Sequence, residues 1–198
     1  KLSSKNIFRK KNNIDGYVYL DNNSTTVLCD PVISTMNTWS TCYNPSSGSI
    51  LSKEGKQVID KVRTYVNKLN NLKNNYSIIF TSGASESNCL ILRSVCDAYL
   101  REKSVIPHII SSSIEHHSVL DCLDTLSRNN YATISLVKPG KFGQIEPDEV
   151  KKHIQPNTAL ISIMYANNET GVINNIPEIG ELAHSFRIPL HSDCVQIY

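Results

Sequence analysis

The chain has 198 residues, of which 40% are hydrophobic, with 20 lysines and arginines against 18 aspartates and glutamates. That is enough apolar material for the core of one domain or of part of a larger one, and a net charge of +2 leaves no electrostatic footprint for nucleic acid or an anionic membrane. No apolar run approaches the roughly 20 residues of a membrane helix, and none of the 198 residues reads as a secretory signal.

Six cysteines, Cys29, Cys42, Cys89, Cys96, Cys122 and Cys194, form no CxxC pair. Scattered in this way through an α/β-like chain, they predict reduced thiols in a reducing intracellular compartment, the cytoplasm or an organelle matrix. The segment 1–16 carries Lys1, Lys5, Arg9, Lys10 and Lys11 with only Asp15 acidic, and is expected to be a solvated basic tail. A remnant of a targeting sequence is the alternative.

From Tyr17 onward two kinds of segment alternate. Short apolar or β-branched runs predict strands at Tyr17–Leu20, Ser77–Thr81, His108–Ser112, Ala132–Val137, Ala159–Met164 and Ile188–His191. Helical spacing places Val32, Met36, Trp39 and Tyr43 on one face. It does the same for Val58, Val62, Tyr65, Val66 and Leu69, for Leu92, Val95, Cys96 and Tyr99, and for Ile179, Leu182, Ala183 and Phe186. Pro31, Pro147 and Pro177 each fall where a first helical turn would begin. Strands alternating with helices predict an α/β fold with a mostly parallel sheet and flanking helices. In such sheets ligands bind outside the carboxyl ends of the strands.

Four of those ends carry polar residues. After Ser77–Thr81 stands Ser82-Gly83-Ala84-Ser85-Glu86, where a helix opens near Ala84 or Ser85. Its free amides, dipole and hydroxyls suit an anion such as phosphate, and equally suit an ordinary serine cap. After His108–Ser112 comes Glu115-His116-His117, in which a histidine faces the same crevice or merely starts a surface helix. After Ala159–Met164 comes Ala166-Asn167-Asn168-Glu169-Thr170-Gly171, a site amide or a plain turn. After Ile188–His191 comes Ser192-Asp193-Cys194-Val195-Gln196, a carboxylate able to pair with a protonated ring nitrogen or to cap a helix. His191 and Asp193 lack a third ligand at metal spacing, so no metal is expected. Phosphate cradle, imidazole, amide and carboxylate together match the parts of pyridoxal phosphate (PLP), whose protonated pyridine serves as an electron sink.

These motifs carry a resemblance. The order "YLDNNSTT" (19–26), "NPSS" (44–47), "IIFTSGASES" (78–87), "IEHHSVL" (114–120), "ANNETG" (166–171) and "HSDCVQ" (191–196) resembles the cysteine desulfurases of the NifS/IscS type, which are class V, fold-type I PLP enzymes. The resemblance implies that residues 17–198 are the N-terminal part of a large PLP-binding domain. It implies that Ala84 and Ser85 bind the phosphate, and that His116 stacks on the ring and moves protons. Asn168 would lie near ring or substrate, Asp193 would pair with the pyridine nitrogen, and Gln196 would bond the phenolic oxygen. His117 would be a bystander, and the loop 22–26 would border the substrate or a partner subunit.

The implied activity converts L-cysteine to L-alanine and leaves an enzyme persulfide for a sulfur-acceptor protein, in a homodimer with neither nucleic acid nor membrane as partner. Two departures stand out. "NPSSGSILSKEG" (44–55) lacks the histidine usual in this family after the NPSS-like loop, and it contains a short insertion. No lysine here matches the family's Schiff-base motif, nor any residue its substrate-binding arginine or nucleophilic cysteine. These are expected beyond Tyr198, together with the rest of the large domain and a small C-terminal domain. The alternatives are a selenocysteine lyase or another class V enzyme, and a non-catalytic binding or scaffold domain.

Overall fold

The computed structural model describes residues 13–14, 17–70 and 76–197. The chain divides into two units, Lys1–Phe80 and Thr81–Tyr198. In the first, β1 (Asn13–Ile14) pairs antiparallel with β2 (Tyr17–Val18). The strand expected at Tyr17–Leu20 is therefore two residues long and lies in a separate ribbon, outside the parallel sheet. The rest of the expected basic tail lies outside the described residues.

Helix α1 (Asp30–Trp39) starts with Pro31 in its first turn, and α2 (Lys53–Leu69) follows a 3-10 turn at Ile50–Ser52. Asn44 shapes the preceding loop by accepting the Ser46 N–H at 2.9 Å. Tyr43 falls beyond the end of α1, so it does not continue the face of Val32, Met36 and Trp39. No residue of α1 is buried, and Tyr65 and Leu69 of α2 are exposed. Segment 77–80 is extended but pairs with no strand among the described residues, and Ile79 is 72% exposed. An apolar run specifies an extended chain; a ladder also needs a neighbour, which the run does not encode.

The second unit is a layered α/β structure. Its strands are β3 (His108–Ser112), β4 (Thr133–Val137), β5 (Thr158–Ser162) and β6 (Leu190–His191), in the order β4-β3-β5-β6 with every neighbour parallel. The connections run through α4 (His117–Arg128), α5 (Pro147–Lys152) and α6 (Ile176–Ser185), and α3 (Ala84–Lys103) precedes the sheet. All five residues of β3 and of β5 are buried, as expected of parallel strands covered on both faces.

Alternation sorts the strand residues into two cores. Ile109 and Leu160 pack with Leu92 and Cys96 of α3 and with Val119, Leu123 and Leu126 of α4. Ile110 and Ile161 point to the other face, against Val150 of α5 and Ile179 and Ala183 of α6. Each such buried aliphatic side chain contributes about 1.5–3 kcal/mol. The apolar stripes read for α3 and α6 are the ones that cover the sheet, although Phe186, at the end of α6, is 46% exposed.

Connections leave β3 toward β4 and β5 toward β6, in opposite directions along the sheet. The switch point lies between β3 and β5, where such sheets open a crevice at the carboxyl ends.

Candidate functional site

At that end of the sheet the chain places three of the predicted residues: His116 after β3, Asn168 after β5 and Asp193 after β6. Gln196 follows on the turn past Asp193, half-buried like Asn168. Helix α3 opens at Ala84 as expected, with Ser85 and Glu86 in its exposed first turn.

Gly83 is the N-cap residue of α3, but its backbone is extended (φ 168°, ψ 177°), a conformation any residue adopts. A Cβ at Gly83 would meet nothing within 4 Å. The glycine is thus needed for neither turn nor packing, and its missing side chain leaves open space beside the helix start. No side chain caps the helix. Instead Glu86 turns back to accept the Ser82 N–H at 2.6 Å, and these bonds to Ser82 hold its carboxyl below the usual range. The amides of Ala84 and Ser85, at the positive end of the dipole, have no partner within the helix.

His116 does start a helix: it is the N-cap of α4, and its Nδ1 accepts the Ser118 N–H at 3.1 Å. The helix-start reading therefore holds for this residue. With Nδ1 an acceptor, the ring proton resides on Nε2. His117 sits edge-on to it, ring centroids 6.3 Å apart. Between α3 and α4 a groove of about 410 Å³ has Ser85 and His116 in its lining.

The two adjacent amides divide the roles proposed for them. Asn167 is the turn-former: it is buried, its Oδ1 accepts the N–H groups of Glu169 (3.0 Å) and Thr170 (2.8 Å), and its Nδ2 donates to the Ile114 carbonyl at 2.9 Å. Gly171 closes that turn at φ 71°, the left-handed region that favours glycine. Asn168 is carried on the turn that Asn167 holds.

Asp193 fits the capping reading. Its Oδ1 accepts the Val195 N–H at 3.0 Å, an ordinary local cap. Its Oδ2 accepts the side-chain amide of Asn88 at 2.9 Å, and the residue is 8% exposed. Asn88 Nδ2 is also 3.0 Å from Ser118 Oγ, which lies 2.8 Å from His116 Nδ1. One chain of hydrogen bonds thus runs from Asp193 to His116. Asn88 and Ser118 were not among the predicted site residues. The available signal was polarity on a buried stripe: Asn88 stands one turn before Leu92 and Cys96 on α3.

Glu115 is a third missed residue. It is 6% exposed, and burial raises its carboxyl to about 7 against the opposing hydrogen bonds from Ser112 and Met164. His191 is half-buried and shares a 2.8 Å hydrogen bond with Ser162, and desolvation lowers its pKa. It joins no group of three metal-binding side chains, and no such group exists among the described residues. Cys96 and Cys122 are buried in the α3–α4 core, where burial raises each thiol to about 11. They are the opposite of an activated nucleophile.

A parallel sheet with an anion-ready helix start and a histidine and a carboxylate at its switch-point end defines a cofactor-binding domain of the fold-type I kind. The sequence profile of the aminotransferase class-V family matches residues 18–198, and the chain belongs to that family. It is 38% identical over 181 residues to a cysteine desulfurase IscS of Methanosarcina thermophila, a match covering 90% of this chain and 44% of the relative. It is 35% identical over 189 residues to a human selenocysteine lyase, covering 87% of this chain and 42% of the relative. Among solved structures, one described as SspA in complex with cysteine superposes with a TM-score of 0.80 at 32% identity, over 88% of this chain and 49% of the other. The chain spans about half the length of the curated relatives it matches.

PLP is the cofactor of this class. The residues present fit it. The uncapped start of α3, with open space at Gly83 and an exposed Ser85, suits a phosphate. A carboxylate offers about four acceptor positions, and the Asn88 and Val195 donors to Asp193 leave room for a ring N–H.

Proposed function

We propose that the chain is the N-terminal part of a PLP-dependent cysteine desulfurase that converts L-cysteine to L-alanine and passes the sulfur to an enzyme thiol. The observation that carries this reading is the hydrogen-bonded connection of His116 to Asp193 through Asn88, a residue of the same helix that opens at Ala84 and Ser85.

In this reading the amides of Ala84 and Ser85, with the Ser85 hydroxyl, bind the phosphate. Asp193 accepts the pyridine N–H and keeps that nitrogen protonated. Gln196 bonds the phenolic oxygen, and Asn168 lies near the ring or substrate. When bound, the cofactor supplies an electron sink for the pair left on the substrate Cα as its proton departs. His116 stacks on the ring and, with a proton on Nε2, orients polar atoms of the substrate and takes part in proton transfers. The substrate Cβ–S bond breaks, and its sulfur joins a thiol sulfur as a persulfide. The Schiff-base lysine and that thiol are assigned outside these 198 residues. A homodimer and a sulfur-acceptor protein complete the reading.

The test is the full-length protein with PLP and L-cysteine. Alanine released in step with protein-bound sulfur supports the reading; no alanine overturns it. The similarity to selenocysteine lyases supports a second reading, which much faster alanine formation from L-selenocysteine than from L-cysteine would favour.

A further inference from the structure

Asn88 is 3% exposed, on the stripe where Leu92 and Cys96 build the core. A carboxamide buried there costs free energy unless its hydrogens have partners. Both do: one points to Asp193 Oδ2 at 2.9 Å, the other to Ser118 Oγ at 3.0 Å.

An –NH2 group only donates. Ser118 Oγ therefore receives at a lone pair and keeps its own hydrogen to give, and His116 Nδ1 lies 2.8 Å away. The same Nδ1 accepts the Ser118 backbone N–H. The amide fixes the direction of the first two bonds, and the Ser118 backbone N–H, by making Nδ1 an acceptor, fixes the last. The choice of a neutral donor also matters at the other end. A lysine or arginine in this place would cancel the charge of Asp193, whereas an amide orients the carboxylate and leaves its charge for a ring N–H.

We propose that Asn88 is a positioning residue in the Asp193–Asn88–Ser118–His116 chain, holding Asp193 as an acceptor and leaving the Ser118 hydroxyl hydrogen free to reach His116 Nδ1. The proposal rests on the PLP reading for what Asp193 and His116 serve, and on the hydrogen bonds alone for their coupling. The Nε2–H form of His116 is set by the Ser118 backbone N–H, which cannot turn away as the hydroxyl can.

The informative substitution is Asn88→Asp, equal in shape and opposite in hydrogen bonding. The new carboxylate must share a proton with Asp193 and will accept the Ser118 hydroxyl hydrogen. The test uses full-length apoprotein carrying 15N-labelled histidine. Proton-detected nitrogen spectra report which nitrogen of His116 bears the proton, and a PLP titration reports affinity. In Asn88→Asp we expect PLP affinity to fall about tenfold or more, the scale of a hydrogen bond to a charged group, and the His116 Nδ1 resonance to move downfield as the Ser118 hydroxyl turns to the new carboxylate. Adding Ser118→Ala should move the Nδ1 resonance no further and leave affinity low. Asn88→Asp with native affinity and an unmoved Nδ1 resonance overturns the proposal.

If Asn88→Asp does not fold, Ser118→Ala alone decides. Loss of a hydroxyl donor should move the Nδ1 resonance downfield, and an unmoved resonance overturns the relay. Failure of wild-type protein to bind PLP would refute the cofactor reading, while the His116 spectra would still judge the role of Asn88.

Discussion

Glu115 and Met164 are joined across the switch point of the sheet: Glu115 Oε1 accepts the Met164 backbone N–H at 2.9 Å. The bond ties the chain leaving β3 to the chain leaving β5, one residue before His116 and four before Asn168. The second oxygen, Oε2, is buried with no hydrogen-bond partner. An ionised carboxylate is poorly served there, which is why burial dominates over its two donors and raises the group to about 7.

The consequence is a pH-dependent stability. Glu115 binds its proton more tightly in the folded chain (about 7) than in the unfolded one (about 4.5). Between those values the folded state holds the extra proton, so stability contributed by this group falls as pH rises through the window. Over pH 5 to 8 the wild type should lose about 2 kcal/mol relative to Glu115→Gln, whose amide does not titrate. Urea unfolding of both proteins at the two pH values measures this. A difference that stays constant with pH would remove Glu115 as the cause.

His116→Ala should slow alanine formation from L-cysteine by about 100-fold, the usual scale of a lost proton-transfer group, while the protein retains PLP. Steady-state rates together with the cofactor absorbance check both halves. Near-native turnover would take His116 out of the chemistry.

Asp193→Ala removes the acceptor of both Asn88 and Val195. PLP affinity should fall by about tenfold or more, and the absorbance of what remains bound should change with the protonation of its ring nitrogen. An unaltered spectrum at native affinity would count against the assignment of Asp193.

Asn167→Ala strips a buried side chain of its donor bond to Ile114 and its acceptor bonds to Glu169 and Thr170. The expected cost is about 2–4 kcal/mol, because a part-buried carbonyl and two turn amides lose their partner together. Thermal unfolding checks it, and a loss below ~0.5 kcal/mol would show that water replaces the amide without penalty.

Thiol labelling separates the cysteines. At pH 8 Cys96 and Cys122, each raised to about 11 by burial, should resist iodoacetamide, while the exposed Cys42 reacts. Peptide mass spectrometry over a time course reads the order. Labelling of Cys96 or Cys122 ahead of Cys42 would mean that the α3–α4 core opens readily.

Much of this protein is determined locally and is legible along the chain. The run His108–Ser112 is a strand at those bounds because a short run led by Ile109 and Ile110, with small serines after them, suits a strand covered on both faces. Pro31, Pro147 and Pro177 do begin helices, since proline fits only where no intrahelical N–H is needed. The placement of Ser85, His116, Asn168, Asp193 and Gln196 after predicted strands follows from the same periodicity, and their motifs in order carry the class V resemblance. Tertiary structure decided what depends on a partner distant in sequence. The run 77–80 is extended without a ladder, and the face of Val32 and Met36 stays exposed, because periodicity selects a face and burial needs something to lie against it. Asn88 and Asp193 stand 105 positions apart, and Asn88 and Ser118 stand 30 apart. Only the packing of α3 and α4 on one face of the sheet brings them within hydrogen-bond reach, so the connection between the carboxylate and the imidazole is a property of the fold.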